Sequence, residues 1–122
     1  MSEGARFSGG RNIAMKVPSH EYEAVVAFYR DVLGLEELES KRPDVCFQFG
    51  GNQLWIDKVS GISQAEIWLE VRAENGAAAK THFAKNGVVR RDEIEPLPEG
   101  SDGFWIANPA NVIHLVGSST AA

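Results

Sequence analysis

Glu66 and His114 are the side chains in this chain best suited to move a proton. A carboxylate beside an imidazole favours the imidazolium and orients the ring, which suits general acid–base work. A structural hydrogen-bonded pair uses the same residue types, and both readings stay open at this point. Trp55 and Trp68 would offer flat apolar walls. With Asp57, Glu66 and Glu70 they suggest a site for a flat or cationic ligand, through stacking, cation–π contact and charge. Core filling is the competing role for both tryptophans. Asn12 and Gln53 complete the candidate ligand-binding set.

These residues fall in segments that must be strands. Asn12 to Val17 alternates, with Ile13, Met15 and Val17 on one side and Asn12, Ala14 and Lys16 on the other. Pro18 ends that strand, and Ser19 is the expected N-cap of a helix. Val25, Phe28, Tyr29 and Val32 recur at helical spacing as an apolar stripe, and Gly34 suits the C′ position. Leu35 to Leu38 reads as a short strand. Val45 to Phe49 and Gln53 to Val59 read as a hairpin around Gly50-Gly51-Asn52.

The plan then repeats. Glu66 to Val71 alternates, Asn75 to Asn86 reads as a helix closed by Gly87, Phe104 to Ala107 is a short strand, and Val112 to Val116 is the last one. The acidic segment from Glu93 to Gly103 reads as an exposed connector or a lid. Asn-Ile-Ala-Met-Lys-Val at 12 echoes Glu-Ile-Trp-Leu-Glu-Val at 66, and Asn-Gln-Leu-Trp-Ile-Asp at 52 echoes Asn-Val-Ile-His-Leu-Val at 111. The expected fold class is α+β: two βαβββ modules in pseudo-twofold arrangement, forming a curved mixed sheet around a cavity. Module 1 covers about 11–60 and module 2 about 65–117 of a single domain at 11–118, with flexible ends at 1–10 and 119–122. The alternation assigns Asn12, Ala14, Lys16, Gln53, Trp55, Asp57, Glu66, Trp68, Glu70, Val112, His114 and Val116 to the cavity wall. A one-residue slip of register would exchange the faces.

Composition narrows the function classes. At 122 residues the chain is one domain by size. Its net charge of −5 argues against nucleic acid, whose phosphates require a basic surface. No apolar run reaches the length of a membrane span, and Met-Ser-Glu-Gly-Ala-Arg lacks the apolar region of a secretory signal. Cytoplasmic residence is the expectation. The single cysteine, Cys46, excludes an internal disulfide and reads as a small buried hydrophobe.

Phe28-Tyr29-Arg30-Asp31-Val32-Leu33-Gly34-Leu35 and Asn108-Pro109-Ala110-Asn111-Val112-Ile113-His114-Leu115 resemble signature segments of the vicinal oxygen chelate superfamily. That superfamily includes glyoxalase I, bleomycin-resistance proteins, fosfomycin-resistance enzymes and extradiol dioxygenases. The likeness runs from about Asn12 to Val116. The second segment is one residue shorter than the family turn and lacks its glycine. The family's metal-ligand positions fall on Asn12, Trp55, Glu66 and His114. Only Glu66 and His114 are ordinary ligand types, with Asp57 the nearest further carboxylate, whereas a durable site needs at least three protein ligands. No bound metal is therefore expected; the alternative is a divalent ion such as Zn, Ni, Mn or Fe.

The resemblance implies a homodimer that binds a small molecule, similar to the bleomycin-resistance type. Whether it is an enzyme stays open. The alternatives are a metal-dependent lyase, isomerase or dioxygenase of the glyoxalase kind, or a metal-free enzyme using Glu66 and His114 as acid and base.

Overall fold

A computed structural model describes residues 6–118. The residues before and after that range, including the expected flexible segment 119–122, lie outside the described residues. The fold is α+β: two α-helices and eight strands of mixed direction among the described residues. The chain divides into two compact units. One is Arg11–Trp68; the other combines residues up to Gly10 with those from Leu69 onward.

In the first unit β2 (Asn12–Pro18) runs parallel to β4 (Asn52–Val59), and β4 pairs antiparallel with β3 (Val45–Phe49). The first residues of β5 (Glu66–Ala73) add antiparallel to the free side of β2. The register is Asn12↔Gln53, Ala14↔Trp55 and Lys16↔Asp57 on one side of β2, and Ala14↔Trp68 and Lys16↔Glu66 on the other. Directly paired residues point to the same face. Ile13, Met15, Val17, Leu54, Ile56, Val45 and Phe47 therefore share the opposite face. They form the core with Tyr22, Val25, Val26 and Tyr29. The alternation of apolar residues dictated this division, because only one face can meet a helix.

The helix itself departs from expectation. Ser19 does not cap it: Ser19–Glu21 is a 3-10 turn entered directly from Pro18, and no side chain caps α1 (Tyr22–Ala27). Phe28–Val32 then widens into a π-helix, with the Leu33 N–H donating to the Phe28 carbonyl at 3.0 Å. The wider turn breaks the helical spacing of the apolar stripe. Val25 and Tyr29 pack on the core, whereas Phe28 and Val32 are exposed. Gly34 has φ +66°, as a C′ glycine should. The expected strand at 35–38 reduces to one bridge, Glu37↔Phe47, because the chain turns at once into the 3-10 segment Glu39–Lys41.

In the second unit β5 runs parallel to β8 (Ile113–Ser118), which pairs antiparallel with β7 (Phe104–Ala107); β7 pairs with β6 (Val89–Arg90). An unexpected strand, β1 (Phe7–Gly9), pairs antiparallel with β5 through Phe7↔Ala73 and Gly9↔Val71. Three short residues carry no strand signal of their own; the ladder to β5 and the stack of Phe7 on Phe83, 5.1 Å between centroids, hold them. Helix α2 (Gly76–Lys85) is capped by Asn75, whose side chain accepts from the Ala78 N–H at 2.9 Å. Ala79 and Phe83 of α2 pack on Ala73, Phe104, Ile106, Val116 and Val71.

The turn before β8 closes without a glycine. The Asn108 side chain accepts from the N–H groups of Ala110 and Val112, each at 2.9 Å. Asn111 takes φ +64°, a left-handed conformation that asparagine tolerates better than most residues.

Candidate functional site

The polar face of the first unit collects Asn12, Lys16, Gln53, Trp55, Asp57, Glu66 and Trp68, as the alternation required. Ala14 is the pivot of this face. It pairs with Trp55 on one side and with Trp68 on the other. Two indoles thus stand on either side of a methyl group, about 10 Å apart at the backbone by the strand spacing. Ala14 is partly open to solvent, so the floor of this slot is reachable. Cys46 pairs with Trp55 from β3 and is fully buried. Burial pushes its thiol above the usual range, with Lys41 partly opposing and Asp57 reinforcing the shift.

Lys16 lies one step along from Ala14 and is 95% withdrawn from solvent, at 5% relative exposure. Its ammonium forms a 2.8 Å ion pair with Asp57 and stands 4.2 Å from the centre of the Trp68 ring. The Trp68 indole N–H donates to Glu66 at 3.1 Å, and the Trp55 indole N–H donates to Asn12 at 2.8 Å. The Lys41 ammonium lies over the Trp55 ring at 5.8 Å. Each indole therefore has its N–H engaged with a neighbour and a lysine against its face. The sequence pattern singled out the tryptophans and carboxylates and assigned Lys16 to the same wall without a role of its own. Its place between Asp57 and Glu66 on adjacent strands emerges only from the register.

The two lysines bear on the expectation of a cationic ligand. Two like charges about 4 Å apart repel by roughly 4 kcal/mol at an effective dielectric constant near 20. Lys16 already occupies both the Trp68 ring face and the Asp57 carboxylate.

The remaining candidates, Glu70 and His114, belong to the second unit, and here the expected wall needs correction. His114 pairs with Leu69 and with Ile106; Glu70 pairs with Leu115, which also pairs with Trp105. His114 thus shares its side with Ile106 and Val116, the side packed on α2, while Glu70 and Trp105 lie on the other. Val112 and Val116, which the alternation grouped with His114, change sides with it relative to Glu70. The β8 pattern could not fix the parity, because Val112, Ile113, Leu115 and Val116 are apolar at both phases. The His114 Nδ1 lies 3.0 Å from the Val112 carbonyl, which can only accept, so the neutral ring keeps its proton there. Trp105, whose face the sequence left open, is buried and donates through its indole N–H to the Glu95 carbonyl at 2.9 Å, tying the 93–103 segment to its own unit.

This arrangement of strands and helices is shared with solved structures. A Mn(II)-bound glyoxalase from Novosphingobium aromaticivorans superposes with a TM-score of 0.66 at 19% identity, over 93% of this chain and 40% of that one. A homoprotocatechuate 2,3-dioxygenase from Arthrobacter globiformis matches with a TM-score of 0.60 at 18% identity, over 94% of this chain and 37% of that one. The chain has the fold of that glyoxalase and that dioxygenase. It spans about two fifths of the length of that glyoxalase and of that dioxygenase. A hypothetical protein from Bacillus halodurans has the fold at comparable length: TM-score 0.60, 15% identity, 93% of this chain and 94% of that one. No family model and no curated protein matches the chain.

The positions that the sequence resemblance assigns to a metal can be tested directly against this geometry. Trp55 has no lone pair to give, and it uses the side-chain oxygen of Asn12 as its own acceptor. Glu66 is the one ordinary donor of the first unit's three, and it accepts from Trp68. Among the described residues no group of three or more His, Cys, Asp and Glu is placed to hold a metal ion. Asn12, Trp55 and Glu66 together do not fit a metal ion. Among the described residues no helix is long and apolar enough to cross a membrane.

Proposed function

We propose that this protein binds a flat small molecule on the Trp55–Ala14–Trp68 face, acting as a ligand-sequestering member of the superfamily without a resident metal. The observation that carries this reading is the row itself: two indoles flanking a methyl on three adjacent strands. Aromatic walls around a small floor residue suit a planar ligand, with Asn12, Gln53, Lys16 and Asp57 as the few polar groups that orient it. The acid–base pairing of Glu66 with His114 is not carried forward, because His114 shares the side of Ile106 and Val116. The protein works as a homodimer in this reading.

Thermal-shift and tryptophan-fluorescence titrations with planar aromatic compounds, with and without EDTA, test this function. A saturable rise in midpoint that survives EDTA and is lost in Trp55→Ala supports it. A rise produced by Mn, Zn, Ni or Fe alone, and abolished by EDTA, would favour a metal-dependent enzyme instead. Light scattering on the size-exclusion peak gives the oligomeric state; a monomer at micromolar concentration would remove the dimer from the proposal.

A further inference from the structure

We infer that the first unit carries a second small-molecule site, on the side of its sheet that packs against α1, and that this site takes an apolar ammonium: an aromatic or alkyl body bearing a protonated amine. The site lies across the sheet from the Trp55–Ala14–Trp68 face and is independent of the function proposed there. A cavity of about 410 Å³ opens between β2 and the first helical segment. That is within the range of small-molecule sites, about 300–1,000 Å³. Met15 and Val25, which pack on the core, line its inner side, and the exposed residues Ala24 and Phe28 line its outer side. The Phe28 ring meets the Tyr29 ring edge to face, 5.1 Å between centroids. Ile67, the cross-strand neighbour of Met15, is exposed, so apolar surface continues along the sheet from Met15. Phe28 also opens the π-helical turn, a distortion that recurs at functional sites. The wider turn leaves this phenylalanine 46% exposed at the cavity instead of buried in the core.

The lining decides the charge of the ligand. Among the described residues around the cavity, Glu21 carries the one full charge, and there is no lysine or arginine. His20 stands 3.9 Å from the Glu21 carboxylate. The neutral imidazole offers an acceptor nitrogen, and the carboxylate can only accept. An ammonium, which can only donate, suits both; a ligand carboxylate would meet Glu21 as a like charge. The aromatic rings add to the preference, since a ring face attracts a cation. On the Trp55–Trp68 face a lysine already lies against each indole, whereas among the described residues no lysine or arginine stands over Phe28 or Tyr29. Both polar side chains are more than half exposed, so water screens the carboxylate and keeps the charge preference modest.

The test is a titration of the nitrogen-labelled full chain, followed by amide NMR, with phenethylammonium, neutral phenethyl alcohol and hydrocinnamate. The ammonium is expected to shift the amides from His20 to Tyr29 saturably and to leave the indole N–H signals of Trp55 and Trp68 in place. It should bind about fivefold more tightly than the alcohol, with the carboxylate weakest. Glu21→Gln should bring the ratio of ammonium to alcohol affinity towards one. Ala24→Trp, at an exposed helix position, should fill the cavity and abolish the shifts from both probes. Shifts centred on the two indoles, or none from His20 to Tyr29, would overturn the site. Equal affinities for ammonium and alcohol in the wild type, or a tighter carboxylate, would overturn the ligand class. Neither result counts against the Trp55–Trp68 reading. Should Ala24→Trp fail to fold, the wild-type titrations and Glu21→Gln still decide.

Discussion

Lys16 and Asp57 are direct partners across the parallel β2–β4 ladder and close an ion pair of 2.8 Å, with the lysine end buried and the aspartate end a third exposed. This asymmetry sets different costs for removing each partner. Asp57→Asn takes a carboxylate away from an ammonium that has little access to water, whereas Lys16→Met leaves a carboxylate that can rotate into solvent and fills the lysine's volume with apolar atoms. Asp57→Asn should cost about 1–3 kcal/mol, below the usual range for a fully buried pair because the aspartate is partly screened. Lys16→Met should fall within about 1 kcal/mol of the parent. Urea unfolding of the two variants checks the order; a larger loss for Lys16→Met would overturn it.

The turn at 108–111 gives a second expectation. Asn108 satisfies two backbone N–H groups, and its loss leaves both without their acceptor. Asn108→Ala should destabilise by roughly 1–2 kcal/mol, and Asn108→Asp, which keeps the acceptor, by much less. Asn111 pays a conformational cost at φ +64° that glycine avoids. Asn111→Gly should therefore be close to neutral, and Asn111→Val should cost about 1 kcal/mol or more. Equilibrium denaturation of the four variants is the measurement.

What could be read from the sequence divides along the same lines. The polar face of the first unit was legible because Ile13, Met15 and Val17, and Leu54 and Ile56, alternate strictly with polar neighbours. Burying one set fixes the register of the other. Gly34 and Gly87 marked their turns for a local reason, and both adopt positive φ. The side of His114 was not legible, since β8 offers apolar residues at both phases and the shortened turn before it shifts the phase relative to the first module. Strand β1 was invisible because its partner is more than sixty residues away in the register Phe7↔Ala73. The π-helical end of the first helix leaves Phe28 exposed although its spacing placed it in the core stripe. The alternation put Lys16 on the wall, but its burial and its pairing with Asp57 depend on the β2–β4 register, which no single strand carries.

Cys46 supplies a pH prediction. Its thiol is pushed up by burial, so the folded chain holds the proton more tightly than the unfolded one. A raised pKa gives stability that is complete below the unfolded thiol pKa, about 8.5, and is lost as pH rises above it. Tyr22, raised by burial and by Asp57, acts in the same direction at higher pH. Stability should therefore decline from about pH 8.5 upward, and Cys46→Ala should flatten the first part of that decline. The native thiol should also resist a disulfide reagent until the chain is unfolded. Rapid labelling of the folded protein at neutral pH would contradict the burial on which this rests.

The position of His114 yields the last expectation. It sits in β8 between Leu69 and Ile106, on the side of the sheet that packs against α2, with its Nδ1 proton given to the Val112 carbonyl. A residue there has a packing role on the α2 side of its own unit. His114→Leu keeps similar volume and removes one local hydrogen bond, so the stability change should stay within about 1 kcal/mol. The affinity for any aromatic probe should be unchanged. Trp55→Ala should behave oppositely: the probe's affinity falls, by roughly tenfold or more, because one wall of the slot is lost. The pair of titrations separates a residue that matters for chemistry from one that looked so by type. A loss of probe binding in His114→Leu equal to that in Trp55→Ala would put the histidine back in the site and return the assignment of the β8 faces to question.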